Sequence, residues 1–176
     1  MLRGAAAIGI TLAALAGCTP APPPPPPPPP PAPAPPPPPP PAPEGNWQDI
    51  PLTPGTWVYR QDERGSVALY GEADAEAQFV VRCNIANRRI FFSRAGQLTA
   101  GNGVMAFQAT HGQTSYAAQN GAGEPRYIVA ATSANDDYLD KIAFSRGRIT
   151  VAVTGQRLLA IPNWAEMTRV FEDCRG

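Results

Sequence analysis

This chain is poor in the residues on which most enzymes and metalloproteins depend. His111 is the only histidine among 176 residues, which excludes multi-histidine metal centres and the H-E-x-x-H helix. It lies in Thr110-His111-Gly112-Gln113 between two expected strands, so it reads as a solvated turn residue rather than a general base. No G-x-S-x-G elbow, P-loop or dinucleotide glycine fingerprint is present. Gly121-Ala122-Gly123 lacks both a preceding strand switch and a lysine, and reads as a loop. The residues thus point to no catalytic set, no metal site and no cofactor.

An excess of one charge sign is missing too. Fourteen Lys and Arg residues face fourteen Asp and Glu, which argues against a general attraction to nucleic acid. Lys141 is the only lysine, so the positive charge is carried almost entirely by arginine. Long apolar runs are equally scarce. The one at the start, Gly4 to Gly17, is too short for a stable spanning helix.

That run has a different meaning. Met1-Leu2-Arg3, a short apolar stretch and small residues before Cys18 form the pattern of an export signal. Leu15-Ala16-Gly17-Cys18 resembles the lipobox of bacterial lipoproteins. The resemblance implies a signal peptide over residues 1–17 and lipidation of Cys18, which becomes the mature N-terminus. Several acyl chains on one residue anchor a protein stably, where a single chain binds only marginally. Thr19 stands where an aspartate in that family retains the protein at the inner membrane, so the expected address is the outer membrane, with the domain in the periplasm or at the cell surface.

Of 24 prolines, 20 lie between Pro20 and Pro43, interrupted only by alanine. Proline fixes φ and offers no N–H, so residues 18–43 read as a polyproline II spacer. At roughly 3.1 Å per residue, 24 residues would span about 75 Å if straight. A docking ligand for a proline-recognition module is the alternative, but no flanking arginine is there to orient a partner.

The composition changes abruptly at Glu44, leaving 44–176 as one domain with enough residues for a single core. Short β-branched or aromatic runs follow one another at 56–60, 66–70, 78–83, 89–93, 104–110, 115–118 and 127–131. Turn chemistry separates them, so they read as sequential antiparallel strands. The period then changes. Asn135 is the expected N-cap of a short helix near 136–144, with Asp136 and Asp137 in its first turn and Gly147 closing it. A hairpin is expected over 148–161. Asn163 and Glu166 suggest a capping box for a final helix near 164–174. On that helix Trp164, Met167, Val170, Phe171 and Cys174 share an apolar face that would lie on the sheet. The expected fold is mainly β, an antiparallel β-sandwich or strongly curved sheet with these two helices.

With Cys18 assigned to lipid, Cys83 and Cys174 remain as an even pair in an oxidising compartment and are expected to form a disulfide. The acidic groups are explained without metal: Asp136, Asp137 and Asp140 by the start of the helix, and Glu72, Asp74 and Glu76 by a surface loop. Six arginines stand out as possible anion ligands: Arg82, Arg88, Arg89 and Arg94 around one hairpin, and Arg146 and Arg148 about Gly147. If the later strand lay beside that hairpin, their guanidinium groups would converge on a carboxylate or phosphate of an envelope protein or glycan. Surface salt bridges with neighbouring carboxylates are the competing reading.

The segments Leu139 to Arg148, Pro162 to Glu166 and Glu172 to Arg175 are similar to the end of uncharacterised proline-linked bacterial lipoproteins. Their order of helix, glycine, hairpin and covering segment distantly resembles the invasion-associated locus B envelope proteins, which implies a β-sandwich-like fold and carries no functional residue across. The expected function is a non-catalytic binding or interaction module, held to the membrane by its lipid anchor. The runner-up is an envelope hydrolase or an inhibitor of an envelope enzyme.

Overall fold

The computed structural model describes residues 46–176. The lipobox, Cys18 and the proline run lie outside the described residues.

Among the described residues, nine strands form one antiparallel sheet: β1 Thr56–Asp62, β2 Gly65–Gly71, β3 Phe79–Asn84, β4 Arg89–Ala95, β5 Asn102–Ala109, β6 Gly112–Asn120, β7 Tyr127–Ser133, β8 Arg148–Val153 and β9 Leu159–Pro162. Two helices accompany them, α1 over Tyr138–Ala143 and α2 over Ala165–Arg175. The expected strands and helices are all present, within a few residues of their expected bounds. The sheet is a curled half-barrel, so the strongly curved alternative describes it, and among the described residues there is no second sheet.

The curl follows from which side chains meet. Phe79, Val81 and Cys83 on β3, and Ile90 and Phe92 on β4, are buried on one face, as the two-residue period requires. In the order β1-β2-β3-β4-β7-β6-β5-β8-β9, β4 and β5 are separated by two strands. A flat sheet would hold them roughly 14 Å apart. The rings of Phe92 and Phe107 are instead 4.6 Å apart between centroids, so the concave faces of the two strands touch across the bend. At one end the curl brings the outermost strands together: the Trp57 indole of β1 donates to the Pro162 carbonyl of β9 at 2.8 Å.

The strand order departs from a simple meander at one point. After β4 the chain crosses over two strand positions to start β5, and the β5-β6-β7 meander runs back to pair with β4. Asn120 holds that crossing, accepting from the Leu98 N–H at 2.8 Å and donating to its carbonyl at 2.9 Å. Gly65 answers another demand. Its φ is +132°, and a Cβ there would lie 2.7 Å from the Cys83 carbonyl oxygen, so the β1–β2 turn can approach β3 only without a side chain.

Helix α2 lies on the concave face against β1 to β4 and buries Met167, Val170, Phe171 and Cys174. Cys174 and Cys83 are at disulfide distance, with Sγ atoms 2.09 Å and Cα atoms 5.4 Å apart. Three expectations about the helices need correction. Trp164 is not on the buried stripe: it is the extended N-cap residue and is 47% exposed. The Asn163–Glu166 capping box does not form: Trp164 holds the N-cap position, and the Asn163 Nδ2 donates to the carbonyls of Ala143 and Ser145, each at 2.8 Å. That turns its Oδ1, the atom a cap would use, away from the helix and leaves it without a partner among the described residues. Tertiary contact with the end of α1 therefore takes the side chain that local capping would have used. Finally, the N-cap position of α1 is Asp137 rather than Asn135, with no capping bond from its side chain, and the helix ends at Phe144. Gly147 turns the chain into β8 three residues later, with φ +77°.

Phe171 is 1% exposed and its ring is 6.3 Å from that of Phe92. Truncating a packed core aromatic costs about 3–5 kcal/mol, against roughly 5–15 kcal/mol for a whole domain. Closing a loop of about 90 residues adds at most about 4–5 kcal/mol in the chain-entropy account. Phe171→Ala should therefore leave the domain marginal when oxidised and unfolded at moderate temperature when reduced. Thermal melts with and without reductant check this, and a variant that melts with its parent would show that α2 does not hold the sheet.

Candidate functional site

The six arginines do not form one site. Strands β7, β6 and β5 stand between β4 and β8, so Arg146 and Arg148 are not beside the β3–β4 hairpin, and each guanidinium has its own surroundings. Arg82 donates from Nη1 to both carboxylate oxygens of Asp62, at 2.8 and 3.0 Å, and holds that carboxyl below its ordinary value. Arg88 donates to the Arg175 carbonyl, and Arg148 to that of Ile50. Arg89 lies 5.9 Å from the centroid of the Phe91 ring, and Arg146 is exposed on the turn before β8. Arg94 points inward at the far end of β4 and donates to the Ala95 carbonyl at 2.6 Å. Burial, aided by nearby Arg157, lowers its pKa.

His111 is exposed in the β5–β6 turn, and Glu72, Asp74 and Glu76 occupy the exposed β2–β3 loop. Among the described residues, no three His, Cys, Asp or Glu side chains gather closely enough to share a metal ion.

The residues that do come together line a trough between β1 and the outward face of α2. Among the described residues, strand β1 is last in the sheet order and pairs only with β2. The opposite terminal strand, β9, is covered: Thr53 donates its N–H to the Ala160 carbonyl at 2.8 Å, and its hydroxyl accepts from the Ala160 N–H at 3.2 Å. Two clefts adjoin along the β1 side. One, of about 620 Å³, is lined by Tyr59, Asn163, Trp164, Glu166, Arg169 and Glu172, among others. The other, of about 550 Å³, includes Gln61, Ser66, Cys83 and Ile85. Glu172 and Asp173 border both.

Helical geometry places these groups. Because α2 buries 167, 170, 171 and 174, positions 166, 169, 172 and 173 must turn outward along the trough. Tyr59 ties the two walls, donating from its hydroxyl to Asp173 at 2.6 Å, while the Arg169 guanidinium lies 4.5 Å from its ring centroid, a cation–π distance. Burial first, then the Asp173 contact, pushes the Tyr59 phenol above its ordinary pKa. At one end, the Asn163 amide grips the carbonyls on either side of Phe144. Phe144 and Trp164, 71% and 47% exposed, thus stand at the same end.

Two buried polar atoms in the trough lack partners, Ser66 Oγ and Asn163 Oδ1. The arrangement offers backbone, aromatic and carboxylate groups for recognition. Sequence reasoning missed this trough. Trp164 was legible only as a helix-period apolar residue, and the edge position of β1 depends on strand order.

A second polar cluster holds α1 to the sheet. Asp136 accepts from the Thr132 hydroxyl at 2.5 Å, the Tyr138 N–H at 2.8 Å and the Tyr116 hydroxyl at 3.0 Å. Burial alone would raise its pKa, but these three bonds outweigh burial and lower it. Burial also pushes the Tyr138 phenol up to about 12. A carboxyl depressed in the folded state contributes stability above its unfolded pKa of about 3.9 and loses it as pH falls through the lower folded value. Asp136→Ala should therefore cost about 1–3 kcal/mol at neutral pH, and the gap to the parent should narrow below about pH 4. Urea titrations at neutral and acid pH measure it, and a gap that stays constant to acid pH would contradict the assignment.

Compared with known proteins, the chain matches no family model, no curated protein and no solved structure.

Proposed function

We propose that this chain is an outer-membrane lipoprotein whose globular domain is a non-catalytic binding module, set off from the membrane by its proline run and using the β1–α2 trough as its binding face. The observation that carries the reading is the pairing of exposed aromatics with an uncovered strand edge. Trp164 and Phe144 are the exposed large aromatics among the described residues, the others being buried or partly buried, and contiguous exposed apolar surface beside a groove marks interaction sites. The lipobox resemblance supports the anchor. The partner class follows the address: a protein or glycan of the envelope.

One experiment addresses anchor and face together. Cells carrying the parent chain, Cys18→Ser or Trp164→Ala are cross-linked, fractionated and probed for adducts. The parent should label with palmitate, sediment with membranes and form a defined adduct. Cys18→Ser should lose the label and leave the membrane fraction. Trp164→Ala should stay anchored and lose the adduct. Normal labelling of Cys18→Ser would refute the anchor, and an unchanged adduct in Trp164→Ala would refute the face.

A further inference from the structure

We propose that the open edge of β1 accepts one more strand: an extended, basic segment of another protein, laid between β1 and the outward face of α2. The inference rests on the reading of the trough as the binding face and names what it binds.

Hydrogen-bond valence at the edge favours an added strand. A terminal strand presents unpaired N–H and C=O groups along one edge, and natural sheets cover, shorten or break such edges because they template pairing. Here the two terminal strands are treated differently. The four-residue β9 is covered by Thr53. The seven-residue β1 has no proline, and no backbone bond beyond β2 is made by Thr56–Asp62 among the described residues. An edge of that length offers what strand addition requires, main-chain bonds for affinity and alternating side-chain positions for selectivity.

An orphaned atom fits the same guest. Asn163 Oδ1 is buried in the cleft beside Tyr59 and has no partner among the described residues. Buried polar groups are nearly always paired, and a lone one calls for a missing partner. A guest backbone N–H laid in that cleft can donate to it, whereas Ser66 Oγ belongs to β2, with β1 between it and the open edge, and is out of the guest's reach.

Charge sets the guest's sequence. Glu166, Glu172 and Asp173 face the trough against Arg169 alone, and that guanidinium is stacked on Tyr59. Side chains of an added strand alternate between the two faces. Those turned toward α2 would meet the carboxylates and should be basic. Those turned to the convex side would lie among Thr56, Val58, Arg60 and Asp62, all exposed, and an apolar side chain there would pack on Val58, which is 42% exposed. Proline has no N–H, so the chain's own proline run cannot supply such a ladder.

The test uses the full-length Cys18→Ser chain and two end-blocked octapeptides, one alternating arginine with valine and the other alternating glutamate with valine. The arginine peptide should bind about tenfold more tightly than its counterpart and slow amide exchange within Thr56–Asp62. Glu166→Lys combined with Glu172→Lys should reverse the preference. Binding that Trp164→Ala weakens, but that leaves the β1 amides exchanging as in the free chain, overturns strand addition while keeping the trough. Binding that neither Trp164→Ala nor the charge reversal affects overturns both. No binding of either peptide overturns the basic strand. So does a dimer that protects β1 without peptide, because the edge then belongs to a second copy.

Discussion

The structure depends on α2 lying in the hollow of the curled sheet. A sheet of nine strands that bends this far presents a concave apolar face too large to be filled by its own side chains alone, and α2 supplies the remainder through Met167, Val170 and Phe171. Phe171 reaches Phe92, and Phe92 in turn touches Phe79, Phe107 and Tyr116. The aromatic rings thus join β3, β4, β5, β6 and α2 into one core. The Cys83–Cys174 link ties the last turn of α2 to β3, and Arg175 fastens the same turn to α1 through Asp140 at 2.7 Å.

The same helix determines where the surface is open. With α2 in the concavity, β1 and β9 meet at the Trp57–Pro162 end only, and the outward residues of α2 become the floor of a trough beside the unpaired edge of β1. The exposed Trp164 follows from the same constraint. The chain leaves β9 and must turn at once into α2, and Asn163 fixes that turn by holding the end of α1, which leaves Trp164 extended ahead of the helix. The core packing and the candidate face are therefore two sides of one helix placement.

Much of this was legible in the residues. Phe79, Val81 and Cys83 alternate with Val80, Arg82 and Asn84, and that period specifies β3 whatever it pairs with. Cysteine parity identified the partner of Cys83, and Met167, Val170, Phe171 and Cys174 showed the buried face of α2. What was not legible depended on neighbours distant in sequence. The crossing from β4 to β5 is held by Asn120, far along the chain, and it separates the arginines that hydrophobic patterning left free to converge. Asn163 had two claims on the orientation of its side chain, a local cap through Oδ1 and the carbonyls of Ala143 and Ser145 through Nδ2, and only the fold decides between them. Trp164 fits a helical period and yet precedes the helix, because an apolar period does not mark where a helix starts.

Native-state hydrogen exchange on the oxidised chain, resolved residue by residue, tests most directly whether α2 is part of the core. If α2 fills the half-barrel, the amides of Met167–Cys174 exchange only through the same global opening as those of β2 and β3, and reduction of the disulfide lowers α2 first. If these amides exchange through a much smaller opening while β2 and β3 stay protected, the sheet stands without the helix and the account is wrong.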